Sequence, residues 1–149
     1  MTNPTPPSSA STPWHLWVVG GLSFLWNAGG AFDFLMTQTR NEAYMAAFTP
    51  EQLEYFYGFP LWAVFTWGIA TWGSLLGSLL LLLRKGLAVS VFIASFVCLV
   101  LTSIQNFVLS DGLEIMGGIG AIIFSAAIFV IGLLLIVYAR AMRAREVLR

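Results

Sequence analysis

The amino-acid sequence predicts an all-α integral membrane protein, a four-transmembrane-helix bundle with a short amphipathic helical cap between its first and second helices. Three observations carry this. The stretches Trp14–Phe32, Phe56–Leu83, Leu87–Ser110 and Ile115–Ala139 contain no Asp, Glu, Lys or Arg, and a helix needs roughly 20 such residues to cross the bilayer hydrocarbon. Mean hydropathy is +0.84, and charged residues make up 9% of the chain, against about 25% in a soluble domain. The few charges sit at the ends of the apolar stretches. A chain of 149 residues holds one such bundle and no second domain.

The organisation follows. Residues 1–13 are rich in Ser, Thr and Pro and are expected to form a disordered tail. Met1–Pro13 lacks the Lys and Arg of a signal peptide, so the first apolar stretch is expected to stay uncleaved. The bundle spans 14–140, with helices at about 14–36, 60–83, 87–109 and 115–139 and an outer helical loop over 40–58. Residues 141–149 form a basic tail. Six of the seven basic residues (Arg84, Lys85, Arg140, Arg143, Arg145, Arg149) fall in the second loop or the tail. Cytoplasmic loops carry the Lys and Arg excess, so both termini are expected on the cytoplasmic side.

The first helix combines two Gly-Gly pairs with Ser23, Asn27 and Asp33. Small residues with interspersed polar groups are what a membrane helix shows its neighbours, because close backbone approach replaces a hydrophobic drive. Gly29 and Gly30 are therefore expected packing positions, and Trp14 and Trp17 mark an interface. The second helix opens at Pro60, where a missing N–H costs nothing. Its Gly73 and Gly77 form a GxxxG pair, read either as a seam within the bundle or as a dimer contact. Trp67 and Trp72 are expected to pack inward. The third helix is apolar until Thr102, Ser103, Gln105 and Asn106. In the fourth, Gly117, Ala121 and Ser125 form a small-residue ladder at i, i+4, i+8. Cys98 is read as plain packing.

The outer loop carries one strong local signal. Thr49-Pro50-Glu51-Gln52 is a capping box with Pro at the first helical position. Tyr44, Phe48, Tyr55, Phe56, Tyr57 and Phe59 supply an apolar face, and Glu42, Glu51 and Glu54 a wet one. The cap is either an interfacial anchor or a lid.

One polar layer is a candidate site. Asp33, Gln105 and Asn106 each lie about a turn below the outer ends of parallel helices, Thr66 enters the same leaflet, and Asn27 lies deeper. Asp33, Thr37 and Arg40 follow i, i+4, i+7, so Arg40 is a partner for Asp33 if the helix continues. An intramembrane ionisable residue points first to function, while interfacial solvation or structural pairing explains Asp33 equally well. The candidate set is Asn27, Asp33, Arg40, Thr66, Gln105 and Asn106.

Several classes are disfavoured. Zero net charge argues against a nucleic-acid partner, which would need a basic face. His15 is the lone histidine and Cys98 the lone cysteine, so no metal, haem or redox-pair set is expected, and no cofactor is assigned. No GxSxG, P-loop or HExxH pattern occurs.

The stretches Trp26-Asn-Ala-Gly-Gly-Ala-Phe-Asp33, Met36-Thr-Gln-Thr-Arg40 and Phe48-Thr-Pro-Glu-Gln-Leu-Glu-Tyr-Phe-Tyr-Gly-Phe-Pro60 are similar to those of a family of small bacterial four-helix membrane proteins. Gly73–Leu83 and Tyr138-Ala-Arg-Ala-Met-Arg143 extend the resemblance over nearly the whole chain after the tail. Its members are sometimes labelled sugar transporters. The resemblance implies a bacterial inner membrane and supplies no binding residues. Three readings stand: a small-solute transporter or binding protein, oligomeric, with its site near Asn27, Asp33, Gln105 and Asn106; an accessory subunit that packs against a larger membrane complex through its Gly-rich faces; and a membrane enzyme or redox component.

Overall fold

The computed structural model describes residues 10–149; the body of the expected N-terminal tail, residues 1–9, lies outside them. Seven helices follow in order: α1 (Trp14–Gln38), α2 (Glu42–Met45), α3 (Pro50–Tyr57), α4 (Leu61–Leu82), α5 (Leu87–Phe107), α6 (Gly112–Ile115) and α7 (Ile119–Ala144). The described residues contain no strand. α4, α5 and α7 are long and apolar enough to cross a membrane. This is one fewer than the four expected. α1 has the length, 25 residues, but it dilutes its apolar surface with four glycines, Asn27 and Asp33.

α4 is flanked by α1 on one side and α5 on the other, and α7 lies against α5. Glycines set the close crossings. A Cβ on Gly20 would stand 2.6 Å from the Leu82 side chain, and one on Gly68 3.0 Å from the Phe34 ring, so α1 and α4 approach closely at two levels. Gly30 continues that seam more loosely, 3.7 Å from Thr71. Across the other face of α4, Gly73 lies directly against Ser95 and Gly77 against the Phe92 ring. The GxxxG pair therefore meets α5 of the same chain. Gly132 receives Phe96 where α7 meets α5.

Three sequence expectations fail here for local reasons. Gly29 is exposed and has nothing near its Cβ position, because the seam runs through Gly30 and Gly20 on a different face of α1. Trp72 is 45% exposed and faces outward; Trp67 alone packs inward, its ring 5.0 Å from Phe34. The fourth long helix begins at Ile119, not at 115, because Gly117 (φ 102°) and Gly118 (φ 66°) turn the chain through conformations that L side chains avoid. Gly117 thus precedes the helix and does not belong to a ladder with Ala121, which is half-buried inside it.

The basic end holds the main core. Leu16, Leu81, Ala88, Val89, Phe92, Leu135, Ala139 and Met142 form one buried cluster, and Val147 and Leu148 complete it. Residues 141–149 are therefore not a loose tail. α7 runs to Ala144, and the last residues fold back as a strap. Arg149 N–H donates to the Arg84 carbonyl at 2.8 Å, and Gly86 N–H donates to the Arg149 carbonyl at 2.8 Å. Arg84 Nε–H adds a bond to the Val147 carbonyl at 3.2 Å.

Candidate functional site

At the end of the bundle opposite the basic one, the cap is built locally. Thr49 Oγ1 accepts from Gln52 N–H, and Gln52 Oε1 accepts from Thr49 N–H, completing the capping box that starts α3. Asn41 Oδ1 accepts from Tyr44 N–H and caps the start of α2. Rings then tie the cap together: Tyr44 to Phe48, Phe48 to Phe56, and Tyr55 to Phe59. Phe59 and Phe34 both approach Trp67, so aromatic side chains lie directly beneath the cap.

The candidate polar residues separate into distinct contacts. Asp33 Oδ1 accepts from the Tyr44 hydroxyl at 2.6 Å. Arg40 does not pair with it among the described residues: α1 stops at Gln38, Arg40 takes φ 51°, and its guanidinium lies 4.3 Å from the centroid of the Tyr57 ring. Helix continuation was the condition for an Asp33–Arg40 pair, and the turn at Thr39–Arg40 removes it. Asn106 Oδ1 accepts from the Tyr55 hydroxyl at 2.8 Å, and Tyr55 also meets Ser110 Oγ at 3.2 Å. Gln105 contributes its backbone carbonyl, which accepts from Ser110 Oγ at 2.6 Å. Thr102 Oγ1 donates to Thr66 Oγ1 at 2.9 Å, joining α5 to α4. Asn27 Nδ2 reaches Ser78 Oγ at 2.8 Å and the Ser74 carbonyl at 3.2 Å, joining α1 to α4 at another level.

The partners of this layer are residues that the sequence places elsewhere. Tyr44 and Tyr55 read as members of an apolar face, yet their hydroxyls latch the cap to α1 and α5. Aromatic density was the visible signal; the phenol oxygens carry the contacts. Gln52 adds a third tie, donating through Nε2 to the Ile115 carbonyl at 3.1 Å. At the opposite end His15 Nδ1 meets the Tyr138 hydroxyl, linking α1 to α7. Their spacing of 123 residues leaves no local sequence signal. Within the α4–α5 seam, Ser95 Oγ is buried and has no hydrogen-bond partner among the described residues.

The Asp33–Tyr44 latch has a pH signature. The hydrogen bond to Asp33 first, then burial and the nearby negative charge, push the Tyr44 phenol from 10.0 up to about 12. Burial also raises Tyr55, while its bond with Ser110 pulls the other way. The latch holds the neutral phenol. Its contribution is therefore complete below pH 10.0 and is lost as pH rises from 10.0 to about 12, where the unfolded chain has already released the proton. The difference in tyrosinate absorbance between the wild type and Tyr44→Phe should titrate near the upper value. A difference that titrates at the ordinary phenol pKa would remove the latch.

Comparison with protein-family models, with curated proteins and with solved structures finds no match to this chain.

Proposed function

We propose that this chain is a non-catalytic membrane subunit that works by assembling with other chains, either further copies of itself or a larger membrane complex. The observation that carries this reading is how the polar side chains are used. Asn27, Asp33, Thr66 and Asn106 each bond to another residue of the same chain, and rings lie directly beneath the cap. These residues knit helices together; they do not converge on a shared opening. α7 adds support. Apart from Leu135, Ala139 and Met142 it buries little, so a long apolar surface including Ile123, Phe124, Leu134 and Val137 is available to lipid or to a partner helix.

In this reading α1 is the fourth span, the membrane is a bacterial inner membrane, and both ends face the cytoplasm. The basic bias of the second loop and C-terminal end supports that orientation, and the resemblance to small bacterial four-helix proteins supports only the choice of membrane. In a Cys98→Ala background, an impermeant maleimide added outside should label Glu51→Cys and not Arg145→Cys. The reverse pattern would overturn the orientation.

Affinity capture from native membranes tests the assembly role. A stoichiometric membrane partner, or a stable homo-oligomer, is the expected result. A second reading, solute binding or transport, draws on the cap, which is held to α1 and α5 by two tyrosine hydroxyls that could release it. Saturable solute flux by the purified protein in liposomes, abolished by Asp33→Asn in a protein that still inserts, would replace the subunit reading with that one.

A further inference from the structure

At the basic end, α5 and α7 do not close against each other along their whole length. Between the first turns of α5 and the last turns of α7 lies an open groove of about 470 Å³, lined by Val89, Ser90, Ile93, Arg140, Arg143 and Ala144. Arg140, Arg143 and Ala144 follow i, i+3, i+4, so they share one face of α7; Val89 and Ile93, at i and i+4, share one face of α5, with Ser90 at its edge. Among the described residues, no carboxylate lines the groove. Arg143 is held over the α4–α5 turn, its Nε 3.7 Å from where a Cβ of Gly86 would stand.

The chemistry of the lining is divided. Two guanidiniums and the Ser90 hydroxyl form one end. The rest is apolar and continues along the helices: Val97 lies a turn beyond Ile93, and Val137 and Leu133 precede Arg140 by three and seven residues on the same side of α7. All four of these apolar residues are exposed. An occupant must therefore carry an anionic head for the arginines and a hydrocarbon body for the strip above them. It must also enter from the side, between two helices that can both cross a membrane.

We propose that this groove binds the headgroup phosphate of an anionic glycerophospholipid, with an acyl chain lying along Ile93 and Val97 of α5 and Leu133 and Val137 of α7. Guanidinium forks match phosphate oxygens through paired N–H bonds. Basic recesses between membrane helices on the cytoplasmic side are where such headgroups are held. Ser90 supplies a further donor. The proposal rests on α5 and α7 lying in a bilayer, and not on the subunit reading: lipid would occupy the groove with or without a protein partner.

The test uses the full chain, purified in a neutral detergent, stripped of lipid and titrated in native mass spectrometry with dioleoyl phosphatidylglycerol or dioleoyl phosphatidylcholine. The wild type should take up phosphatidylglycerol in clear preference. Arg140→Gln with Arg143→Gln should weaken that uptake on the order of 10- to 30-fold, towards the phosphatidylcholine level, as two lost surface cations predict. Arg140→Lys with Arg143→Lys keeps the charge and loses the fork, and should fall between. Arg145→Gln, outside the groove, should bind as the wild type does. Circular dichroism and elution volume confirm that each variant is folded.

Equal uptake of phosphatidylglycerol by the wild type and the folded double Gln variant would overturn the proposal. So would competition by inorganic phosphate at the same concentration as the lipid, which would make the groove an anion site with no use for the acyl chain. A protein that stays soluble without detergent and takes up neither lipid would remove the bilayer setting itself. Uptake of both lipids without preference would overturn the proposal too, because the arginines would then select no headgroup.

Discussion

Gly77→Leu should be among the most damaging single substitutions in this chain. A Cβ at position 77 would stand 2.7 Å from the Phe92 ring, and Phe92 is only 3% exposed within the core of the basic end. The ring cannot swing into solvent, so the helices must separate, and separation also loosens the cluster that Phe92 shares with Leu81, Ala88 and Val89. Overpacking of this kind costs about 1–3 kcal/mol, and Leu adds three further carbons beyond the Cβ, which puts the expected loss at or above the upper end. Gly73 differs in an instructive way. Its Cβ would collide with Ser95 Oγ, a hydroxyl that is buried and has no hydrogen-bond partner among the described residues. Ser95→Ala alone should thus be neutral or stabilising, since it removes an unsatisfied group. It should also relieve much of the damage of Gly73→Ala, giving a non-additive double-mutant cycle. Gly29→Leu provides the contrast: nothing lies near that position, so stability in detergent should hardly change. If Gly77→Leu and Gly29→Leu denature alike, the α4–α5 seam is not where these helices touch.

The parts of the fold legible in the sequence are those whose cause is local. Thr49 and Gln52 are three residues apart and cap each other, so the start of α3 can be read directly from four letters. The long apolar runs of α4, α5 and α7 carry their own signal in composition. The spacing of Gly73 and Gly77 marks a close-packing face; that the face belongs to α5 required the fold. Other features arise from contacts that spacing cannot encode. Tyr55 finds Asn106 across 51 residues, and Asn27 finds Ser78 across the same separation. Asp33 and Arg40 look paired on a helical wheel, but the wheel holds only while the helix does, and it ends at Gln38. Gly117 was misplaced for a related reason. A Gly-Gly pair inside an apolar run reads as a small face of a helix, whereas here both residues take positive φ and stop one. Val147 and Leu148 are hidden among arginines, so composition assigns them to a polar tail although they are core residues.

That strap yields the second large expected effect, and it should be local. Leu148 is 4% exposed and Val147 3%, and burying two such side chains contributes roughly 3–6 kcal/mol at most. Fixing the three residues 147–149 costs a comparable amount in backbone entropy, about 3–6 kcal/mol. What tips the balance is the set of three hydrogen bonds to Arg84 and Gly86, each worth about 0.5–1.5 kcal/mol net. Docking is therefore favourable by only a few kcal/mol, and it depends on both apolar side chains. Leu148→Asp places a carboxylate among the buried apolar side chains of the cluster of Leu16, Leu81, Ala88 and Met142. Keeping it there would cost more than the strap is worth, so the strap should peel away while the helices stay folded. Amide exchange reads this directly. Gly86 N–H donates to the Arg149 carbonyl in the docked strap, and its exchange should accelerate on the order of 30-fold for each 2 kcal/mol lost. Amides in the middle of α4 and α5 should keep their protection. Unchanged exchange at Gly86 would mean that the backbone bonds hold the strap without its side chains. Global loss of protection would mean that the strap is part of the cooperative core of the bundle and not a separable closure of its basic end.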